Sequence, residues 1–382
     1  MAITELIKKY QFPITLTAAV IKILLLAAII VMMSLILDRN LQKESDVQKL
    51  QDTKDILEGV VPLHTALEKE DRYSVILRSE TPDNSDAEKK LRKTLEEARS
   101  TTDKYLEVHK TVVSNLGLKD GDYAKKVKNL RDAIDSQKIS VDDVVVGFNN
   151  LKADLIEFLA TTRESPSANA ERLIGTLVVG LHVLDAMSEQ TEAFALSVIL
   201  DEFDASEILL SRGTELASLD TMKDVADDNA RKDIDRILQG GHYRSLEDIR
   251  AGTFEALKGE GGKDKKQRRR YTEMRPRREE SEATPSSLGL TLDDLLVAFE
   301  NFITEFEGYL ENSLLHDVDS ELDNSIADLE LDQTLIIIAI CLTGVAFIYV
   351  LVDAIVSIVI FWKQRSQLDD FESRTVKKAA WV

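Results

Sequence analysis

The sequence predicts an all-α protein, two stacked antiparallel helical bundles held between two transmembrane helices. Three observations carry that expectation. The 382 residues include only 16 Gly and 6 Pro, about 4% and 2% where about 7% and 5% is ordinary, so long helices can run without interruption. Apolar residues recur at spacings of three and four, with no strand-like alternation of any length between them. Two apolar runs, one towards each end, are each long enough to cross about 30 Å of hydrocarbon.

Residues 1–12 read as a cytoplasmic N-terminus and 13–37 as the first span, where Lys22 is the one interruption in an apolar or small-polar run. The end of that run, Leu35, Ile36, Leu37, Asp38 and Arg39, lacks the small residues that cleavage wants, so it reads as an uncleaved signal anchor. Residues 38–333 form the domain between the spans. Leu130, Ala133 and Ile134 make one helical face there, and Val141, Val144, Val145, Phe148, Leu151, Leu155, Phe158 and Leu159 make another. Breaks are expected at 116–122, at 138–140, near Ser165 and Pro166, and at Gly240 and Gly241, which divides the domain into eight or nine helices.

Residues 259–287 read as a flexible basic loop. Gly259, Glu260, Gly261 and Gly262 should end the preceding helix at about Lys258, and nine basic residues follow between Lys263 and Arg278. Arg275, Pro276, Arg277 and Arg278 fit the R-x-R-R pattern cut by secretory-pathway convertases. The last helix of the domain starts at about Thr291 and runs into the second span, 334–362, interrupted only by Asp353. Residues 363–382 form a short cytoplasmic tail.

Basic residues set the orientation. Lys8 and Lys9 precede the first span, and Lys363, Arg365, Arg374, Lys377 and Lys378 follow the second, which puts both termini in the cytoplasm and 38–333 outside, at a plasma membrane. Lys22 and Asp353 then lie about 22 and 27 Å from the outer ends of their spans at 1.5 Å per residue. Either they form an intramembrane charge pair, or each reaches water separately at the inner surface. The net charge is −20, and the acid excess falls on the outer segment. Such a surface repels nucleic acid and anionic lipid headgroups; the lipid partner is the hydrocarbon around the two spans.

The search for chemistry returns little. The single cysteine, Cys341, excludes an intrachain disulfide framework and a thiolate zinc cluster. Five scattered His, none in an H-E-x-x-H arrangement, give no support to a zinc hydrolase, and no metal site is expected. No G-x-S-x-G, P-loop or kinase signature appears, and the residues from Lys363 to Val382 are too few for a catalytic output domain. Asp142 with Asp143, and Asp293 with Asp294, read as solvated helix faces. Neither an enzyme nor a cofactor is expected. The end of the chain, Ala379 to Val382, either offers a terminal hydrophobe and carboxylate to a peptide groove or has no role.

The run Leu63, His64, Thr65, Ala66, Leu67, Glu68, Lys69, Glu70, Asp71, Arg72 resembles the L-V-H-x-L-Q-x-E-R-G segment that opens the nitrate- and nitrite-sensing domain. Arg99 to Asp103 is similar to the family's R-x-x-T-D, and Leu130, Arg131, Ile134 and Asp135 to its L-R-x-x-I-D helix. Phe148 stands for the aromatic of the next helix, and Leu295 to Asp317 resembles the helix that leads to the second span. The resemblance implies an all-helical sensor outside the membrane, in which arginines of two facing helices hold a small oxyanion. Binding then shifts the helices that lead to an output, and a homodimer or a partner receptor subunit is implied.

The chain departs from that pattern twice. Asp71 stands where Arg is expected after Glu70, with Arg72 one position on, which turns the side chain by about 100°. Phe194 and Ala195 replace the second Glu-Arg pair, expected just after 188–192. Arg72 is thus the one ligand-binding candidate for a small anion, which needs a fixed guanidinium; the alternative is a surface Arg beside Asp71 and Glu68. Two functions stay open. One is a membrane-anchored sensory receptor subunit without its own output domain, and the other is a structural or protein-interaction bundle that has lost small-anion binding.

Overall fold

The computed structural model describes residues 2–79, 86–110, 112, 123–161, 167–200, 205–261 and 291–379, and no strand occurs among them. The helices are α1 Ala2–Ser79, α2 Asp86–Val108, α3 Tyr123–Asp135, α4 Val141–Thr161, α5 Ala168–Leu200, α6 Ala205–Val225, α7 Asp228–Leu238, α8 Gly241–Gly261, α9 Leu292–Tyr309 and α10 Leu315–Ala379. A π-helical turn, Leu310–Leu314, joins α9 to α10, so one helix continues from Thr291 into the second apolar run. The chain divides into two units, Met1–Lys49 with Ile326–Val382, and Leu50–Ser325.

In the first unit, α1 and α10 each carry a stretch long and apolar enough to cross a membrane, with mean hydropathy 2.5 and 2.9 and none of either stretch buried. Ile23, Leu24, Leu35, Leu342, Val345 and Ile348 point outward. Polar side chains tie the two helices together. Lys22 Nζ lies 2.5 Å from Asp353 Oδ2 and donates to Ser357 Oγ at 2.7 Å, and Lys43 pairs with Asp332.

The second unit is an all-helical bundle built around α5. From Leu173 to Ser197 this helix buries almost every face, as a helix surrounded by others must. Helices α4, α6 and α9 pack against it, α9 also packs on α8, and α3 packs on α4. The expected α4 stripe is inside, with Val144, Phe148, Leu151, Leu155 and Leu159 buried. On α9, Phe299, Phe302 and Phe306 follow the helical repeat and are fully buried; Phe299 meets Phe194 of α5 at 5.6 Å and Phe302 meets Tyr243 of α8 at 4.9 Å between ring centres.

Caps explain several boundaries. Ser140 Oγ accepts from Asp143 N–H while Asp143 Oδ2 accepts from Ser140 N–H, a reciprocal cap that starts α4. At α9, Thr291 Oγ1 accepts from Asp294 N–H and donates its hydroxyl to Asp294 Oδ2. Asp143 and Asp294 are therefore exposed, yet they also hold helix starts. The break near 138–140 is present, with Gln137 at φ 55°, and α7 gives way to α8 at Gln239 and Gly240. A further break at Ala226 and Asp227 lacks the Gly or Pro that would announce it; there Asp227 accepts from Asn229 and Ala230 N–H. Helix α8 runs on to Gly261, past the expected end at Lys258. The breaks at 116–122 and near Ser165, most of the basic loop including Arg275–Arg278, and residues 380–382 lie outside the described residues.

Candidate functional site

Within the second unit, α1 carries His64, Glu68, Asp71 and Arg72, none more than 1% exposed. Steps of four and three put the first three on one face, and the single step to Arg72 turns it about 100° away. His64, Glu68 and Asp71 meet α4 and α5. Lys152 Nζ of α4 lies 2.7 Å from Glu68 Oε2, 2.8 Å from Asp71 Oδ2 and 3.7 Å from Asp185 Oδ1 of α5. His64 Nε2 is 3.3 Å from the same Asp185 oxygen. Glu192, two turns along α5, is buried and adds its field to that on Lys152.

Three carboxyl groups thus lie within 3.7 Å of one ammonium, and a fourth, Glu192, adds its field, in a place with little water. A buried ion is costly unless paired, and the acid excess shows in the titration of the group. Burial raises the Asp71 carboxyl to about 7 against the pull of Lys152, and burial likewise raises Glu68 and Glu192. Burial also works against the Asp185 charge, yet His64 and Lys152 hold that carboxyl below the usual range. For Lys152 burial favours the neutral amine, but Asp71 and Glu68 outweigh it and the ammonium stays charged.

Across α1, the Arg72 guanidinium lies 3.5 Å from Glu300 Oε1 and 3.7 Å from Glu307 Oε1, both on α9. Tyr73 donates its hydroxyl to Glu300 at 3.0 Å, and Thr65 donates to Glu311 at 2.5 Å. Burial lifts the Glu307 carboxyl to about 7 although Arg72 opposes this. Arg72 is therefore not a surface residue beside Asp71 and Glu68, as one of the two sequence readings had it. Its place on α1 turns it towards α9, where two carboxylates already answer its charge. None of its three guanidinium nitrogens makes a hydrogen bond, so the two carboxylates meet it as ion pairs alone.

The remaining arginines of the resemblance are also spoken for. Arg131 of α3 grips Glu70 of α1 through Nε and Nη2 at 2.6 and 2.7 Å and reaches Asp103 of α2 at 2.5 Å. Arg99 of α2 makes a two-pronged pair with Asp135 of α3 at 2.9 and 3.0 Å. These motif residues pin three helices together. Phe194 and Ala195 are buried on α5.

Sequence reading missed Lys152, Asp185 and Glu192. A signal for the first exists: Lys152 falls four residues after Phe148, inside the apolar stripe of α4, where a solvated Lys has no place. His64 and Glu68, four apart on one helix, share a face, a spacing visible in the sequence.

The model of the family described as nitrate and nitrite sensing matches residues 63–280, more than half of the chain, and opens at Leu63. The chain belongs to the nitrate and nitrite sensing family. Among solved structures, that of the NasR transcription antiterminator is similar in fold, with a TM-score of 0.52 and 13% identity over 81% of this chain and 79% of that one. No curated protein matches. In this chain Arg99 and Arg131 pin α1, α2 and α3 together, and an acidic centre lies between α1, α4 and α5.

Proposed function

We propose that the protein is a membrane-anchored sensor: α1 and α10 cross the membrane, residues 38–333 lie outside, and rearrangement around the buried ionic centre shifts the helices that enter the bilayer. One observation carries this, the set of four carboxyls, three of them buried, around one buried ammonium where α1, α4 and α5 meet. A bundle with a purely structural task gains little from such a centre, because apolar residues of similar volume are commonly as stabilising or more so. Buried groups with strongly shifted titration cluster where proteins bind ligands or change state. Family membership and the two apolar helices support the same reading.

A second reading, an interaction bundle that no longer binds small anions, is favoured by the two carboxyl groups, Glu300 and Glu307, that lie beside Arg72. Spin labels at Gln42→Cys and Thr334→Cys, in the full chain with Cys341→Ser and in lipid nanodiscs, separate the two. If the sensor reading holds, Lys152→Met moves the label separation by about 1–2 Å, the scale of helix shifts in switching proteins. Unchanged separation in a variant of unchanged helicity leaves the interaction bundle. Millimolar nitrate or nitrite added to the wild type tests the ligand: a shift abolished by Arg72→Gln makes the protein an anion sensor, and no shift excludes these two anions.

A further inference from the structure

We infer that His64, Glu68 and Asp185 bind a divalent transition-metal ion. This deepens the sensor reading by naming the class of its ligand, although the binding itself stands on geometry alone.

His64 and Glu68 are one helical turn apart on α1 and face the same way, and Asp185 comes to them from α5. One donor atom from each lies within 4.8 Å of the others. Ligands held about 2.0–2.2 Å from a common ion stand about 3–4 Å apart, so small side-chain rotations close the set. His64 is 0% exposed; its Nδ1 makes no hydrogen bond and its Nε2 has only the Asp185 carboxyl, at 3.3 Å, while Glu68 Oε2 faces the Lys152 ammonium at 2.7 Å. Buried polar atoms are nearly always partnered in a folded protein, and a ligand is one explanation for those that are not.

Charge points the same way. Glu68, Asp71 and Asp185 all lie within 3.7 Å of the Lys152 ammonium, so carboxyl groups outnumber the cations in the centre. An anion has no place in it. Lys152 lies 2.7 Å from Glu68 Oε2 and 2.8 Å from Asp71, which leaves Glu68 Oε1 to the ion and fixes the carboxylate from behind, as the outer groups of metal sites do. One imidazole nitrogen with two carboxylates suits zinc, manganese or iron better than calcium or magnesium, which take oxygen alone. An ion here ties α1 directly to α5.

The test is titration calorimetry on the full chain in detergent micelles, stripped with chelator and titrated with Zn²⁺ and Mn²⁺, with Ca²⁺ and Mg²⁺ alongside. One saturable site is expected for the first pair, and binding at least tenfold weaker for the second. His64→Gln and Asp185→Asn should each weaken Zn²⁺ binding at least tenfold, with His242→Gln, at the surface, unchanged. Asp185 is partly exposed, so its variant serves if His64→Gln does not fold. No saturable binding, equal affinity for Ca²⁺, or affinity indifferent to both substitutions overturns the site. Saturable, variant-sensitive binding upholds it even where Lys152→Met leaves the spin labels unmoved, a result that counts only against the sensor reading.

Discussion

Replacing Lys152 by Met tests the ionic centre most directly. The substitution keeps an unbranched side chain of similar length, so the apolar contacts beside Phe148 and Leu155 are largely retained and the loss is electrostatic. The ammonium is 1% exposed and lies 2.7, 2.8 and 3.7 Å from Glu68, Asp71 and Asp185. Removing one partner of a buried ionic group costs about 3–5 kcal/mol, because the other is left without a countercharge. In a unit of this size about 2 °C accompanies each kcal/mol, so the melting temperature should fall by about 6–10 °C at pH 8. The loss should shrink at pH 5. Without Lys152 the carboxyls, already raised by burial, take up protons more readily, and the neutral acids no longer need the ammonium. Thermal melts of the full chain in micelles, followed by far-ultraviolet circular dichroism at both pH values, measure this. A drop under about 1 °C at pH 8, or one of equal size at both pH values, would refute the account of the centre as an ion cluster held by Lys152.

Glu307 gives a second pH-dependent expectation. Its folded carboxyl stands at about 7 against 4.5 unfolded, so its contribution to stability is complete below pH 4.5 and is lost as pH rises through 7; Glu307→Gln should flatten that slope by at most about 3 kcal/mol in melts between pH 5 and 8. Asp227→Ala removes the cap accepted from Asn229 and Ala230 N–H and should cost about 1 kcal/mol in the same melts, whereas no change would mean that α7 starts without it. For Lys22 and Asp353, 2.5 Å apart, Lys22→Leu or Asp353→Leu alone should destabilise the full chain in nanodiscs and the double change should restore part of the loss. Strictly additive losses would show that the two charges act independently.

The helical class was legible because it depends on period and on missing breakers, which a sequence states outright. The α4 stripe from Val144 to Leu159 is buried as its spacing requires, and the breaks beside Ser140 and Gly240 fall where their residues call for them. The break at Asp227 was not legible, since a capping Asp looks the same as any other acid in a chain with 68 of them. The same abundance hid the ionic centre. Asp185 and Glu192 differ from solvated acids only in what α1 and α4 bring to them, and no local pattern records a contact between residues as far apart as His64 and Asp185.

The one-residue displacement of Arg72 now has a physical consequence. A turn of about 100° takes a side chain from the α4 and α5 side of α1 to the α9 side, and that is where Arg72 lies, against Glu300 and Glu307. Asp71 holds the other face, and Lys152 of α4 supplies a cation to it. The cation at this face thus comes from α4, with Glu68, Asp185 and Glu192 near it as an excess of acid. Restoring an arginine at position 71 would still leave those three carboxyls to be overcome before an anion could enter. Selectivity at this centre is therefore a property of the whole set, and a change of sign in its ligand follows from the balance of charge more than from the loss of any one guanidinium.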